Sequence, residues 1–170
     1  MAVSYYTPWC GFAPGGVVAA SGPMIVVDSL RPEDRDAWEI LARGYKEFYK
    51  TPTSDEQYEA TWRRLSRGTD VHGIGAYADG RLVGIAHYLY HVTVWGADTC
   101  YLQDLFVDPN ARGRGAARAL IHRVGEVARE RGVERMYWTT KEDNATARAL
   151  YDRVGRYRGF IRYEYERPAD

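Results

Sequence analysis

Residues 101–117 hold the sequence pattern that most restricts how this chain can fold. An apolar segment over residues 101–107 runs into Asp108-Pro109, and a short loop rich in Arg, Gly and Ala follows before a helical pattern begins. A strand, a tight loop and a helix in that order form a common unit of α/β proteins. The free N–H groups and the dipole at the start of a helix favour an anion, and small residues let the backbone approach it. The pattern therefore predicts a phosphate-binding loop at residues 112–117.

Size and composition limit the classes of protein to consider. The chain has 170 residues, 45% of them hydrophobic, so we expect one domain with a full core. Its formal net charge is +0, which gives no electrostatic reason to expect nucleic acid or an anionic membrane surface. Two cysteines make no disulfide framework and favour the cytoplasm. No run is long enough to span a membrane, and the histidines and cysteines lack metal-ligand spacing, so we expect neither membrane nor metal.

Hydrophobic spacing predicts helices and strands after an N-terminal extension. Residues 1–24 are rich in Gly, Ala and Pro without a helical period, so we expect them to lie outside the domain formed by residues 25–170. A short strand at residues 25–27 comes first. Helical spacing then predicts two helices between residues 32 and 68, the second starting at the capping-box pair Ser54 and Gln57. Period-two alternation predicts a hairpin of residues 71–78 and 81–94 around Asp79-Gly80.

The second half of the chain predicts a parallel crossover. A helix from the loop to about residue 131 links the strand at 101–107 to a strand over residues 133–140, and such a pair lies parallel. Another helix follows from Asn144, and residues 159–166 alternate apolar and polar residues as a final strand. The predicted fold class is α/β, a single domain with a mixed, mostly antiparallel sheet and helices on both faces.

Three kinds of phosphate-binding loop make different demands on sequence. A P-loop needs Lys and then Ser or Thr after its last Gly, and residues 112–117 contain none of these. A dinucleotide loop needs a third Gly and follows the first strand, whereas this loop follows the fourth and lacks that Gly. The remaining pattern, R-x-x-G-x-[GA], accommodates the pyrophosphate of coenzyme A. It is present as Arg112, Gly113, Arg114, Gly115, Ala116 and Ala117.

Three segments together resemble the GNAT superfamily of acyl-CoA-dependent N-acetyltransferases. They are the Asp-Leu-Phe-Val-Asp-Pro run from Asp104, the Arg/Gly/Ala loop, and the Asn-Ala-Thr-Ala-Arg-Ala-Leu-Tyr run that ends at Tyr151. The resemblance covers about residues 25–166. Within the superfamily, residues 84–91, Trp95, residues 101–106 and the ending after Tyr151 are similar to the diamine, histone-and-polyamine and D-amino-acid N-acetyltransferases.

This resemblance implies a cofactor cleft for acetyl-CoA as cosubstrate. In the superfamily the fourth strand splays from the fifth at a bulge, and the pantetheine arm lies in the gap. By resemblance, the main chain of Leu105, Phe106 and Val107 would bind the pantetheine, and the loop would bind the pyrophosphate. Asn144 would contact the cofactor, and Tyr151 would lie near the thioester sulfur.

Acetyl transfer to an amine needs a proton donor for the leaving thiolate and a route for the proton of the amine. Tyr151 is the predicted donor. Similar enzymes carry Glu at the position of Gln103, and a Gln side chain cannot accept a proton at neutral pH. Asp104 is the neighbouring candidate, although strand alternation would point it to the opposite face. His87 and His91 share a strand face and are further candidates.

The predicted acceptor is a primary amine of a small molecule: a polyamine, a diamine or an amino acid. A cationic amine favours carboxylates and aromatic faces, and we expect acceptor recognition from the first two helices and the loop between them. Two alternatives stay open, namely acetylation of a protein lysine or N-terminus and, because of Gln103, a non-catalytic acyl-CoA-binding module. A homodimer would suit the habit of the superfamily and the aromatic-rich last strand. The candidate acceptor-binding residues are Glu47, Tyr49, His87, His91 and Trp95.

Overall fold

The computed structural model describes residues 24–167. The predicted extension therefore lies, apart from Met24, outside the described residues, and its separation from the domain stays a prediction. Short 3-10 turns precede α1 and α3. The elements in chain order are β1 (Ile25–Ser29), α1 (Arg35–Phe48), α2 (Asp55–Arg67), β2 (His72–Ala78), β3 (Arg81–Thr93), β4 (Gly96–Val107), α3 (Ala116–Glu130), β5 (Arg135–Tyr137) and α4 (Ala145–Val154).

The five strands form one sheet in the order β1-β2-β3-β4-β5. The first three pairings are antiparallel, and β4 pairs with β5 in parallel across the α3 crossover. One core lies between the sheet and α3, where Leu120 and Val124 are fully buried. A second core lies on the other face, where Trp38 and Leu41 of α1 pack with Ile85 of β3. The predicted mixed sheet with helices on both faces is confirmed.

Local sequence signals also hold in the structure. Ser54 and Gln57 form the reciprocal capping box that opens α2, and Gly68 closes this helix with a left-handed φ of 61°. Asp79 and Gly80 both have positive φ, 50° and 76°, as a tight hairpin turn between β2 and β3 requires. No helix within residues 24–167 is long and apolar enough to cross a membrane.

Two predicted strands differ from the structure. The strand predicted over residues 133–140 is limited to Arg135–Tyr137, and residues 159–166 form no strand. Phe160 and Tyr163 of that last segment are each 86% exposed. Alternation predicts which side chains would share a face, but a strand also needs a neighbour to accept and donate its hydrogen bonds. No described strand lies beside residues 159–166 to supply them.

The short β5 leaves a gap in the sheet. It pairs with β4 only at Thr99, Cys100 and Tyr101. Beyond Tyr101, β4 continues for six residues to Val107 without a partner on that edge among the described residues. The main-chain groups along this edge of β4 therefore face the opening between the strands. The splayed cleft that the resemblance implied is confirmed.

The core under α3 allows a direct test of stability. Leu120 is 0% exposed, so Leu120→Ala should lower the free energy of unfolding by about 3 kcal/mol through lost burial and a cavity. Ile40 on α1 is 71% exposed, and Ile40→Ala should change the free energy of unfolding by less than about 0.5 kcal/mol. Urea unfolding of both variants measures the difference. Equal effects would contradict the placement of this core.

Candidate active site

A β-bulge shapes the centre of the site. Across β3 and β4, His87 lies opposite Asp104 and Tyr88 lies opposite Leu102, so Gln103 is an extra residue on β4. A bulge interrupts the two-residue period and re-aims the side chains beside it. Gln103 and Asp104 accordingly line the same cavity. The expectation that alternation would separate these two side chains is therefore wrong.

Two cavities adjoin at this bulge. A narrow one of about 20 Å³ lies where β4 and β5 separate, and Leu105, Trp138, Thr139 and Tyr151 are among the residues that line it. A wider one of about 150 Å³ lies between the sheet and helices α1 and α2. Tyr45 and Gln103 line both cavities. A group in the narrow cavity can thus approach one in the wider cavity near these two side chains.

Tyr151 reaches the narrow cavity from α4. Its ring meets Trp138 edge to face, with 5.4 Å between the ring centroids. Burial, with a smaller contribution from Tyr49, raises the pKa of Tyr151 to about 12. The phenol therefore keeps its proton throughout the physiological pH range. It is available as a hydrogen-bond donor at the point where the strands separate.

Asp104 is the carboxylate between the cavities and the core. Its Oδ2 lies 2.9 Å from His87 Nδ1, and the hydroxyl of Tyr45 donates a second hydrogen bond to it. Burial alone would raise the pKa of Asp104, but the hydrogen bond and electrostatic attraction of His87, the hydrogen bond from Tyr45 and the charge of nearby Lys46 lower it overall. Burial and the neighbouring Asp104 raise the pKa of Tyr45. The pair is therefore a carboxylate and a neutral phenol.

The Arg/Gly/Ala loop opens α3 with two left-handed glycines. Gly113 and Gly115 have φ of 76° and 85°, and no side chain caps the helix at Gly115. Arg112 Nε donates to the carbonyl of Val107 at 3.3 Å, which ties the loop to the end of β4. Uncapped N–H groups at a helix start are the feature that an anion needs. The assignment of residues 112–117, and of Leu105, Phe106 and Val107, to coenzyme A stays a prediction.

The side chain of Asn144 caps α4. Its Oδ1 accepts from the N–H of Ala147 at 3.3 Å, and its Nδ2 donates to Thr140 Oγ1 at 3.1 Å. These contacts give Asn144 a structural role, because they satisfy a free N–H group of the helix and join it to the segment after β5. A contact with the cofactor stays a prediction.

The predicted acceptor-binding residues are not brought together. Tyr49 lines the narrow cavity, and His87, which is 8% exposed, lines the wider cavity beside Asp104. Glu47, His91 and Trp95 line neither cavity. His91 Nδ1 is 3.1 Å from the carbonyl of Val92, and Trp95 is 96% exposed in the turn between β3 and β4. A role for these three in acceptor binding stays a prediction from sequence alone.

Sequence reasoning missed several residues around the wider cavity. Trp38 and Tyr45 lie on the buried face of α1, where their spacing indicates core packing and conceals their polar contacts with the sheet. Lys46 and Arg64 are ordinary helix charges in the sequence but line this cavity in the structure. The signal that could have found Trp38 and Tyr45 is a helix face that carries indole and phenol groups, next to two consecutive strands of which one carries His and the other Asp.

Comparison with known proteins agrees with this geometry. The profile of the Acetyltransferase (GNAT) family matches residues 35–155. The D-amino-acid N-acetyltransferase HPA3 of Saccharomyces cerevisiae is 38% identical over 135 residues, 76% of this chain and 83% of that protein. The thialysine N-epsilon-acetyltransferase of Caenorhabditis elegans is 31% identical over 126 residues, 74% of this chain and 79% of that protein.

The fold is also that of solved acetyltransferases. A structure of the aminoglycoside N-acetyltransferase AAC(6')-Iy in complex with CoA superposes with a TM-score of 0.75 at 20% identity, covering 89% of this chain and all of that one. The profile match spans most of the described residues, including the bulge, the loop and α4. From fold, site and relatives together, the chain belongs to the acetyltransferase (GNAT) family and is an acyltransferase.

Proposed function

We propose that this acyltransferase moves the acetyl group of acetyl-CoA to the amino group of a small molecule that also carries an acidic group, such as an amino acid. The observation that carries the proposal is the wider cavity, where one carboxylate and two cationic side chains face the same space. Acetyl-CoA is the cosubstrate of the family. The relatives described above are named as acetyltransferases of small molecules.

The gap between β4 and β5 and the loop before α3 support acetyl-CoA as the acetyl donor. An extended pantetheine arm has amide groups, and the unpaired edge of β4 offers main-chain partners for them. The start of α3 offers N–H groups and a dipole to a pyrophosphate. Acetyl-CoA supplies an acetyl group already activated as a thioester. The residues of this chain then have to orient the amine and stabilise charge at the thioester.

The charges of the wider cavity favour a zwitterionic acceptor over a polyamine. Asp104 offers a carboxylate to the ammonium of the acceptor. Lys46 and Arg64 line the same cavity, and neither forms a salt bridge with another residue in the range 24–167. A carboxylate on the acceptor would pair with these cations, whereas the second ammonium of a polyamine would be repelled by them. The yeast relative is named for D-amino acids, which carry both groups.

The pKa shifts of Asp104 and Tyr151 support different roles for these two residues. Because the pKa of Asp104 is lowered, its carboxylate is a weak proton acceptor and serves to bind and orient the ammonium. The proton of the amine then leaves to solvent through the open cavity. Tyr151 keeps its proton, so its hydroxyl donates a hydrogen bond to the sulfur as negative charge develops there.

A thiol-release assay with matched acceptors tests the proposal. We expect lysine to be a better acceptor than cadaverine, which is lysine without its carboxylate, by at least about tenfold in kcat/KM, equivalent to one charged contact of about 1.4 kcal/mol. Arg64→Gln should reduce this preference by raising KM for lysine alone. Arg67→Gln, an exposed change on the same helix outside the cavity, is the matched control.

Two results would contradict the proposal in different ways. Equal or better use of cadaverine would remove the zwitterionic acceptor but keep the acetyltransferase activity. Binding of CoA without release of thiol for any amine or amino acid would remove small-molecule acetylation altogether. Because the yeast relative is named for D-amino acids, both D-lysine and L-lysine belong in the assay.

A further inference from the structure

We infer that Trp38 holds His87 in a single neutral tautomer, and that this prevents His87 from neutralising Asp104, the carboxylate for the acceptor ammonium. Trp38 and His87 would be positioning residues, since they act through Asp104. The identity of the acceptor rests on the proposed function, whereas the protonation state of His87 does not. The three side chains involved lie on α1, β3 and β4.

The three side chains form a continuous chain of hydrogen bonds. Trp38 Nε1 lies 2.9 Å from His87 Nε2, and His87 Nδ1 lies 2.9 Å from Asp104 Oδ2. Trp38 is 0% exposed and His87 is 8% exposed, so neither ring has water as an alternative partner of consequence. The carboxylate of Asp104, at the end of this series of hydrogen bonds, lines the wider cavity. Both nitrogens of the imidazole are therefore occupied.

The chemistry of the indole group determines the tautomer. An indole N–H can only donate a hydrogen bond, so His87 Nε2 must carry a lone pair. In the neutral ring the proton is then on Nδ1, and this N–H donates a hydrogen bond to Asp104. A second proton on Nε2 would face the indole N–H with another donor and leave a buried group without a partner, which is costly. Trp38 thus opposes the charged form of His87 by geometry.

A charged His87 would change the balance of charge at the acceptor site. The titratable and charged groups that face this pair are Tyr45 and Lys46 from α1, Tyr49 directly after it, Tyr58 and Arg64 from α2, and Tyr88 from β3. Two of these groups, Lys46 and Arg64, are cations. Among the described residues, Asp104 is the one carboxylate that lines the wider cavity. An imidazolium against Asp104 would cancel that charge and leave a net positive site that repels an ammonium. The indole therefore preserves the affinity for the amine as pH falls.

Nitrogen NMR on the full-length protein reads the tautomer directly. With labelled histidine, long-range proton–nitrogen spectra should show His87 protonated at Nδ1 and bare at Nε2 at neutral pH. The resonances are assigned by their loss in His87→Gln. A proton on Nε2, or an imidazolium at pH 7, would overturn the inference without any assay of activity.

Kinetics with Trp38→Phe test the consequence. On lowering the pH from about 8 to about 6, KM for the amino-acid acceptor should rise at least about fivefold more in this variant than in the wild type, because His87 is free to pair with Asp104 as a cation. The KM for acetyl-CoA should change with pH by the same factor in Trp38→Phe and in the wild type. Trp62→Phe removes an indole that packs 5.1 Å from Trp38 but is not bonded to His87, and should show no such pH effect.

These outcomes separate the positioning role from general damage. A structural defect would lower activity at both pH values and would be shared by Trp62→Phe, and that result would overturn the inference. So would a Trp38→Phe profile that matches the wild type. If the wild type acetylates no amine, the proposed function fails, and the NMR experiment still decides whether Trp38 holds His87 neutral.

Discussion

Tyr151→Phe is expected to lower kcat at least about tenfold, or about 1.4 kcal/mol of activation free energy, with little change in affinity for acetyl-CoA. The hydroxyl lies where β4 and β5 separate, and its raised pKa of about 12 keeps the proton in place. The ring, which packs on Trp138, is retained in the variant, so the cleft should keep its shape. Only the hydrogen bond to the developing thiolate is removed.

Steady-state thiol release and calorimetric binding of acetyl-CoA measure the two sides of this expectation. Tyr157→Phe is the matched control, since Tyr157 follows α4, is 70% exposed and lines neither cavity. An unchanged kcat in Tyr151→Phe would remove the phenol from the mechanism. A loss of acetyl-CoA affinity equal to the loss in kcat/KM would instead give it a role in binding the donor.

Asp104→Asn is expected to lower kcat/KM for the acceptor about a hundredfold, or about 2.7 kcal/mol, mainly through KM. Asn has the shape of Asp and can still accept from His87, so the packing remains while the charge that attracts the ammonium is lost. Asp98→Asn makes the same exchange on the same strand outside both cavities and should be close to the wild type. An acceptor KM that is unaffected by Asp104→Asn would contradict the ammonium site.

The pH dependence of this variant has a definite sign. The folded-state pKa of Asp104 is depressed, so its interactions contribute fully above the ordinary carboxyl pKa and are lost only as pH falls through the lower folded value. The ratio of wild-type to variant kcat/KM should therefore stay constant between about pH 6 and pH 8. A ratio that falls toward one within that window would mean that Asp104 titrates there.

Local signals in the sequence predicted most of the fold. The Ser54–Gln57 box, the Asp79-Gly80 turn and the helical spacing around Leu120 each depend on residues a few positions apart, and each holds in the structure. The parallel pairing of β4 and β5 followed from the single helix between them. The strand predicted at residues 159–166 was wrong because a strand depends on a neighbouring strand, and the sequence of the segment itself does not specify one.

The site was predictable only where a motif carries it. Tyr151 and the loop glycines belong to short patterns, and the structure puts the former at the strand opening and the latter at the start of α3. The Trp38–His87–Asp104 chain joins residues 49 and 17 positions apart, and its geometry comes from packing α1 on the sheet. The bulge at Gln103 depends on the register between two strands. Spacing along one strand does not contain that information.

The bulge at Gln103 also separates two physical roles along β4. Cys100, Leu102, Leu105 and Val107, on either side of it, all pack in the core under α3, where a change of volume would disturb the fold. The inserted residue lets two consecutive positions face the wider cavity between these core positions. A substitution at either position can change the lining of this cavity while the apolar layer beneath keeps its composition. One added residue thus lets a single strand pack into the core and shape a cavity at the same time.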